Sequence, residues 1–504
     1  MKLLALRLCE HDSNISYFDG QKLHYFKSER KSQIKHHKFD NLWEWRVIIQ
    51  KLWGVDYSEI DEIAITIDPW KHNLPKDLQK FYSPTNLAVE YDYFPTSPKC
   101  KVWRINHHYA HALSTWMLED KKPDVSIVID GFGDLDVAWT IFKDDKLIEE
   151  NSVEKHGSLG VEFADSARAL GVKVEFGLDL SGKLMGLQSY GKLELDYLEY
   201  LQRFDMYSIK ELFNKDHWFK FKNDELVGQL TLLDWSRTVH QRIGEILVDF
   251  FKKYAKEDDV ISYSGGVAQN VIWNTELKKH FPNLIIPPHC GDEGLTLGAI
   301  EFLRIKNNLP KFELADFPFC QVDETTDEVS DEVIEQTAKA LANGKVVAWY
   351  QGHGEVGPRA LGNRSILMNP MIPDAKTIVN KIKRREEYRP FGAVVLDEHK
   401  SKHFDLDFEN PHMLYVANVK DVNLASITHV DNTCRIQTLT NENKSLRKLL
   451  EKFHEITGCP VLLNTSLNLA GKPIAAFKDN ALELFNTSSL DCLVIGNRLY
   501  KKYK

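Results

Sequence analysis

Val125-Ser-Ile-Val-Ile-Asp130, then Gly131-Phe-Gly-Asp134, then Val137-Ala-Trp-Thr-Ile-Phe142 is the stretch that decides the fold of this chain. A β-branched apolar run reads as a buried strand, the acidic glycine segment as a loop, and the second run as a strand that turns back over Lys143 to Lys146. The same order stands at the start of the chain. Leu3 to Leu8 is apolar, Cys9 to Ser13 is a polar loop, Asn14 to Phe18 is apolar again, and Asp19-Gly20 leads into Leu23 to Phe26. An Asp-Gly pair accepts the positive φ of a tight turn, so it predicts a hairpin.

Duplication of a strand, polar loop, strand, turn and strand unit resembles the actin-like ATPases and sugar kinases, whose ribonuclease H-like halves set two acidic loops across a nucleotide cleft. Outward from the repeat, Asp234 to Tyr254 carries apolar residues at helical spacing, and the strand Val260 to Tyr263 runs into Ser264, Gly265 and Gly266. A strand, a glycine turn and a helix start present free N–H groups to a phosphate. Around Leu309 to Thr326 the pattern loosens, with Pro310, Pro318 and acidic residues, and a new helix begins near Asp331. We therefore expect two α/β domains, residues 1–325 and 326–504. The second alternates helix Val333 to Leu341, strand Val346 to Trp349, helix Ser445 to Thr457 and strand Val461 to Leu463.

Composition sets the class. A chain of 504 residues exceeds what one core usually organises, and 43% apolar residues fit a packed enzyme rather than a disordered or fibrous chain. A formal charge of −9 excludes nucleic-acid binding as the main task, though a local basic patch can hold a small anion. Seven scattered cysteines without a CxxC pair read as reduced thiols. The opening MKLLALRLCEHD is apolar too briefly for a signal peptide, and no stretch is long enough to span a bilayer, so the expected location is the cytoplasm.

Chemistry-bearing residues cluster in both halves. His107 and His111 stand at i and i+4, one face of a helix, where they can share a metal or form a plain surface pair. Asp130 at a strand end and Asp292 in the loop Gly291 to Gly294 are carboxylates placed as further ligands. Two histidines with carboxylates suit Fe(II), Mn(II) or Zn(II). Tyr263-Ser-Gly-Gly-Val-Ala-Gln-Asn270 and Lys183 in Ser181 to Gly191 read equally as phosphate contacts or as packing turns. In the second half Arg359, Arg364, Lys381, Lys383, Arg384, Arg385 and Arg389 concentrate positive charge in an acidic protein. The arginines of Gly357-Pro-Arg-Ala-Leu-Gly-Asn-Arg-Ser365 lie among turn residues, which favours a fixed anion pocket over a solvated helix face. Asn464-Thr-Ser-Leu-Asn468 follows an apolar strand and adds short polar groups.

Together, HHYAHA, DGFGD, KLMGLQSYGK, SGGVAQN, GDEGLTLGA, GPRALGNRSIL, IKRREEYRPFG and NTSLNLAGKPI resemble, in order and over nearly the whole chain, the O-carbamoyltransferase family of the nodulation and tobramycin carbamoyltransferases. The resemblance implies an actin-like, threonylcarbamoyl-transferase-like first domain and a smaller YrdC-like second domain. It implies ATP-dependent conversion of carbamoyl phosphate, the co-substrate, to carbamoyl-adenylate, and transfer of the carbamoyl group to a hydroxyl of a small molecule such as a sugar or natural product. The implied metal ligands are His107, His111, Asp130 and Asp292, with Fe(II) the first choice and Mg(II) the second. Nucleotide contacts would be Lys183, Gly265, Gly266 and Asn270. Arg359, Arg364, Lys383, Arg389, Arg435, Asn464, Ser466 and Asn468 would form the carbamoyl phosphate and adenylate pocket, with Arg389 and His11 catalytic. No nucleic acid or membrane partner is implied, and a homodimer is compatible.

The chain departs from the family at Gly352-His353, where Gly-Arg is frequent, at Lys472, where an acidic residue is common, and in its loop CEHDSN. Competing readings are threonylcarbamoylation of tRNA, which the acidic charge opposes, and hydrogenase maturation, whose zinc-finger cysteines are not found. An ATPase binding module would leave the basic second half unexplained.

Overall fold

The structure is a computed structural model that describes residues 1–8, 10–41, 43–67, 86–91, 94, 96–97, 99–222, 229–321 and 328–502. Two units form: Met1–Glu29 with His36–Ala315, and Arg30–Lys35 with Asp316–Lys504. The boundary expected at 325/326 lies outside the described residues.

The first unit carries the doubling. Strands β1 (Leu3–Arg7), β2 (Asn14–Phe18), β3 (Leu23–Lys27), β4 (Glu62–Thr66), β5 (Ala88–Glu90) and β6 (Lys101–Ile105) form one sheet in the order β3-β2-β1-β4-β6-β5. Strands β7 (Val125–Ile129), β8 (Val137–Lys143), β9 (Lys146–Ser152), β10 (Ile261–Ser264) and β11 (Leu284–Ile285) form a second, in the order β11-β10-β7-β8-β9. In each, a three-strand antiparallel meander continues through parallel strands from its first member: β1 beside β4, β7 beside β10. The loops after β1 and β7 are therefore equivalent. Asp19 makes the first hairpin turn by accepting the N–H groups of Gln21 and Lys22, each at 2.7 Å, and Gly20 takes φ 102°. In the second hairpin Asp144 and Asp145 adopt positive φ instead.

Helix α1 (His107–Trp116) is capped by Asn106, which accepts Tyr109 N–H at 3.0 Å, and all ten residues are buried. Helix α2 (Leu295–Lys306) crosses it where Gly298 meets the Ala110 carbonyl. A Cβ there would stand 1.7 Å from that oxygen, so the crossing demands glycine. Among the described residues no helix is long and apolar enough to cross a membrane.

The second unit is a mixed sheet of β12 (Val347–Tyr350), β13 (Arg364–Met368), β14 (Gly392–Leu396), β15 (Val416–Asn418), β16 (Thr433–Leu439), β17 (Val461–Ser466), β18 (Cys492–Ile495) and β19 (Arg498–Lys501). The order is β15-β16-β14-β17-β13-β12-β18-β19. Helix α3 (Asp331–Ala342) packs on α4 (Lys444–Thr457), whose Leu446, Leu449, Leu450 and Phe453 recur at helical spacing and are all buried. Each such side chain contributes about 2 kcal/mol. Gly458, at φ 74°, ends the helix left-handed.

Candidate metal centre and anion site

α1 and the two glycine loops bring His107, His111, Asp130 and Asp292 together, with one donor atom from each within 4.8 Å of all the others. His107 Nε2 is 3.0 Å from Asp130 Oδ2 and 3.4 Å from Asp292 Oδ1; His111 Nε2 is 3.5 and 3.3 Å from the same atoms. Burial and the neighbouring Asp292 oppose ionisation of Asp130, but the hydrogen bond from His107 and the close approach of His111 hold it below the usual carboxylate range. Burial is likewise outweighed at Asp292, here by Arg7 and His107. It is outweighed too at His107, which the two carboxylates push up to about 10. His111 is fully buried, and neither ring nitrogen has a hydrogen bond among the described residues. Two carboxylates facing two imidazoles, one imidazole unmet, fit a divalent cation.

The loops are built to hold these ligands. Gly266 N–H donates to Asp130 Oδ1 at 2.8 Å, and a Cβ on Gly266 would come within 2.7 Å of that oxygen. Gly265, at φ 94°, packs on the backbone of Ile129. Both expected phosphate glycines thus seat the end of β7. The side chain of Asn270 caps the helix Val271–His280 and its amide nitrogen lies 3.1 Å from His240. Lys183 is turned to the Lys173 carbonyl at 2.8 Å. The structure therefore gives Asn270 and Lys183 structural partners where nucleotide contacts were expected.

His11 lies at the rim, 44% exposed, with Nε2 3.4 Å from Asp292 Oδ2. Its Nδ1 is 3.1 Å from Asp12 Oδ2, an oxygen also 2.9 Å from His36 Nδ1, while Asp12 Oδ1 meets Lys27 at 2.8 Å. Asp12, Glu29 and His36 form a second group of ligand type, but the Lys27 ammonium sits within it, bonding Glu29 as well at 3.3 Å. Arg7, Lys27 and His36 were not singled out in the sequence, because only the folded chain brings them to Asp12 and Asp292 beside His11.

In the second unit the register sets Gly392 opposite both Arg435 and Asn464, so both flank it on one face of the sheet. Burial and the neighbours Arg359, Arg385 and Arg389 push the Arg435 guanidinium well below its usual value. Burial and Arg389 lower Arg385 to about 9, and burial with Arg385 and Arg389 lowers Lys383 well below its usual value. Such crowding of cations calls for an anion. Lys383 donates to Ser466 Oγ at 3.3 Å and Asn468 Oδ1 at 2.8 Å, and Ser466 Oγ donates to Asn468 Oδ1 at 2.6 Å. Arg389 keeps 31% exposure near Glu386, 3.8 Å away.

Arg364, expected in the pocket, is engaged with the protein's own backbone. It is buried, stacks over Tyr350 at 3.6 Å, and donates to the carbonyls of Gln351, Asn363 and Gly352 at 2.5, 2.9 and 2.9 Å. The loop it braces is also held by Glu355, whose Oε1 accepts the N–H groups of Leu361, Asn363 and Arg364 at 2.8, 2.9 and 3.2 Å. His353 donates from Nδ1 to the Gln321 carbonyl at 2.9 Å, and Lys472 enters through its carbonyl, which accepts from Asn468. A cavity of about 160 Å³ adjoins Gln437 and Leu361, with Phe317, Phe319, Glu409 and Glu442 also in its wall.

Residues 2–300 match the family described as Carbamoyltransferase N-terminus and residues 338–502 that described as Carbamoyltransferase C-terminus. Nodulation protein NolO of Bradyrhizobium diazoefficiens is 30% identical over 79% of this chain and 79% of its own length. Nodulation protein NolNO of Sinorhizobium fredii is 29% identical over 96% of this chain and 78% of its own. The 3'-hydroxymethylcephem-O-carbamoyltransferase of Streptomyces clavuligerus is 33% identical over 52% of each chain. The chain thus belongs to the O-carbamoyltransferase family and is a carbamoyltransferase.

Proposed function

We propose that the chain is an ATP-dependent O-carbamoyltransferase acting on a hydroxyl of a small molecule, with a YrdC-like second unit that makes carbamoyl-adenylate. The observation that carries this reading is the crowding of Arg359, Lys383, Arg385, Arg389 and Arg435 about one end of a buried sheet. Fixed guanidinium groups hold a phosphate and stabilise the charge that develops as it leaves. Water cleaves carbamoyl phosphate to carbamate and phosphate. The carbamate oxygen then attacks the α-phosphorus of ATP and pyrophosphate departs. In transfer, the acceptor oxygen bonds to the carbamoyl carbon and AMP leaves.

In the first unit His107, His111, Asp130 and Asp292 would hold a divalent metal, Fe(II) being our first choice. When bound, such an ion supplies Lewis-acid polarisation. His11 Nε2 would take the proton of the acceptor hydroxyl, a role supported by the contact of its Nδ1 with Asp12. The hydroxymethylcephem in the cephem relative's name supports a small-molecule alcohol as acceptor.

The test is mass spectrometry of a panel of hydroxylated small molecules incubated with protein, ATP, Fe(II) and carbamoyl phosphate. One acceptor should gain a carbamoyl group only in the complete mixture. Gain of a phosphoryl group instead would make the protein a kinase and overturn the reading.

A further inference from the structure

Asn464 sits at the centre of the second unit's sheet, fully buried, with its orientation dictated by backbone carbonyls. Gln437 Nε2 donates to the Leu361 carbonyl at 2.9 Å, which turns Gln437 Oε1 the other way. That oxygen accepts from Asn464 Nδ2 at 3.0 Å, and the Ala360 carbonyl accepts from the same nitrogen at 3.3 Å. Flipping either amide would press two acceptors together at hydrogen-bond distance. Both Asn464 hydrogens are therefore committed to protein. Its Oδ1 is left as a buried acceptor without a hydrogen bond among the described residues.

An unmet buried acceptor costs free energy that a ligand donor recovers. Around it stand cations: Arg435 lies on the same face across Gly392, about 10 Å away by strand spacing, and Lys383 binds Ser466, two residues further along β17. A ligand complementary to this surface carries a phosphate at one end and an N–H donor at the other.

We infer that Asn464 Oδ1 reads the amine of the carbamoyl group, and that Gln437, a positioning residue, locks it as an acceptor, so that this site selects a carbamoyl phosphate over an acyl phosphate that bears a methyl group. This rests on the second unit being the carbamoyl phosphate site. Acetyl phosphate is the matched probe, since it replaces NH2 by CH3 at nearly constant shape. A site built to hydrogen-bond a substrate group rejects the analogue that lacks it.

The experiment is calorimetric titration of the full chain with carbamoyl phosphate, acetyl phosphate and inorganic phosphate, in the natural sequence and in Gln437→Leu. The natural chain should bind carbamoyl phosphate at least roughly tenfold more tightly than acetyl phosphate, the worth of one hydrogen bond to a buried group. In Gln437→Leu that ratio should fall to about threefold or less while inorganic phosphate binds as before, an outcome that general loosening of the fold would not produce. Equal binding of the two acyl phosphates by the natural chain overturns the inference and leaves the site assignment standing. So does an unchanged ratio in a folded Gln437→Leu. Failure of the natural chain to bind any of the three overturns the site assignment as well.

Discussion

Arg7 divides the carboxylate of Asp292: its Nη2 stands 2.7 Å from Oδ2, while Oδ1 faces His107 and His111 at 3.4 and 3.3 Å. A buried guanidinium here both neutralises one carboxylate and turns it so that a single oxygen meets the histidines. Replacing Arg7 with Met leaves two buried carboxylates facing each other with less positive charge between them. Stability should fall by about 3–5 kcal/mol, the usual cost of breaking a buried pair. Mn(II) should return more of that stability in the variant than it adds to the natural chain. Urea unfolding with and without Mn(II) checks this, and equal gains in both proteins would contradict it.

Gly266 predicts a contrast between two glycines of the same region. A Cβ at Gly266 would press on Asp130 Oδ1 at 2.7 Å, whereas one at Gly131 meets nothing within 4 Å. Gly266→Ala should weaken Mn(II) binding about 10- to 100-fold, as loss of an orienting partner does. Gly131→Ala should leave it within about twofold, since no neighbour has to move. Calorimetric titration with the metal alone reads both.

Stability should depend on pH through His36. Burial opposes its charge, but hydrogen bonds to Asp12 and Asp179 raise it from 6.5 to about 9; Lys27 acts against them. Because the folded value is the higher one, the stabilisation is complete below about 6.5 and is lost as pH rises through about 9. Its size is about 3 kcal/mol as an order of magnitude. His36→Gln should flatten the fall in unfolding free energy between those two pH values, measured by urea titration. An unchanged slope would count against the assignment.

The two half-reactions should separate by mutation. Arg389→Ala should cut carbamoyl phosphate-dependent pyrophosphate release about 100-fold or more while ATP still binds. His11→Ala should leave pyrophosphate release nearly intact and slow carbamoyl transfer about 100- to 10,000-fold. Coupled assays of pyrophosphate and of carbamoylated product distinguish them.

The doubled meander was legible because its strands and turns are local: apolar runs, an acidic glycine loop and an Asp-Gly turn lie within a few residues of each other. His107 and His111 were legible for a similar reason, their helical spacing. The structural partners of Arg364 and Asn270 were not legible, because a polar residue in a turn-rich loop serves that loop's own backbone as readily as a ligand. Arg364 satisfies three carbonyls and Asn270 caps a helix. Arg7, Glu355 and Gln437 carried no local signal. Arg7 meets Asp292 and Gln437 meets Leu361 and Asn464 only after distant segments assemble, and Glu355 acts on backbone N–H groups that no side-chain pattern reports.

The central claim is that a crowd of cations in the second unit turns carbamoyl phosphate and ATP into an activated carbamoyl group. Its most direct measurement is product analysis of ATP incubated with the protein, with and without carbamoyl phosphate. Pyrophosphate should form only when carbamoyl phosphate is present, together with carbamoyl-adenylate and the AMP that its hydrolysis by water releases. Formation of ADP and phosphate at the same rate in its absence would mark an ATPase without group transfer and contradict the account.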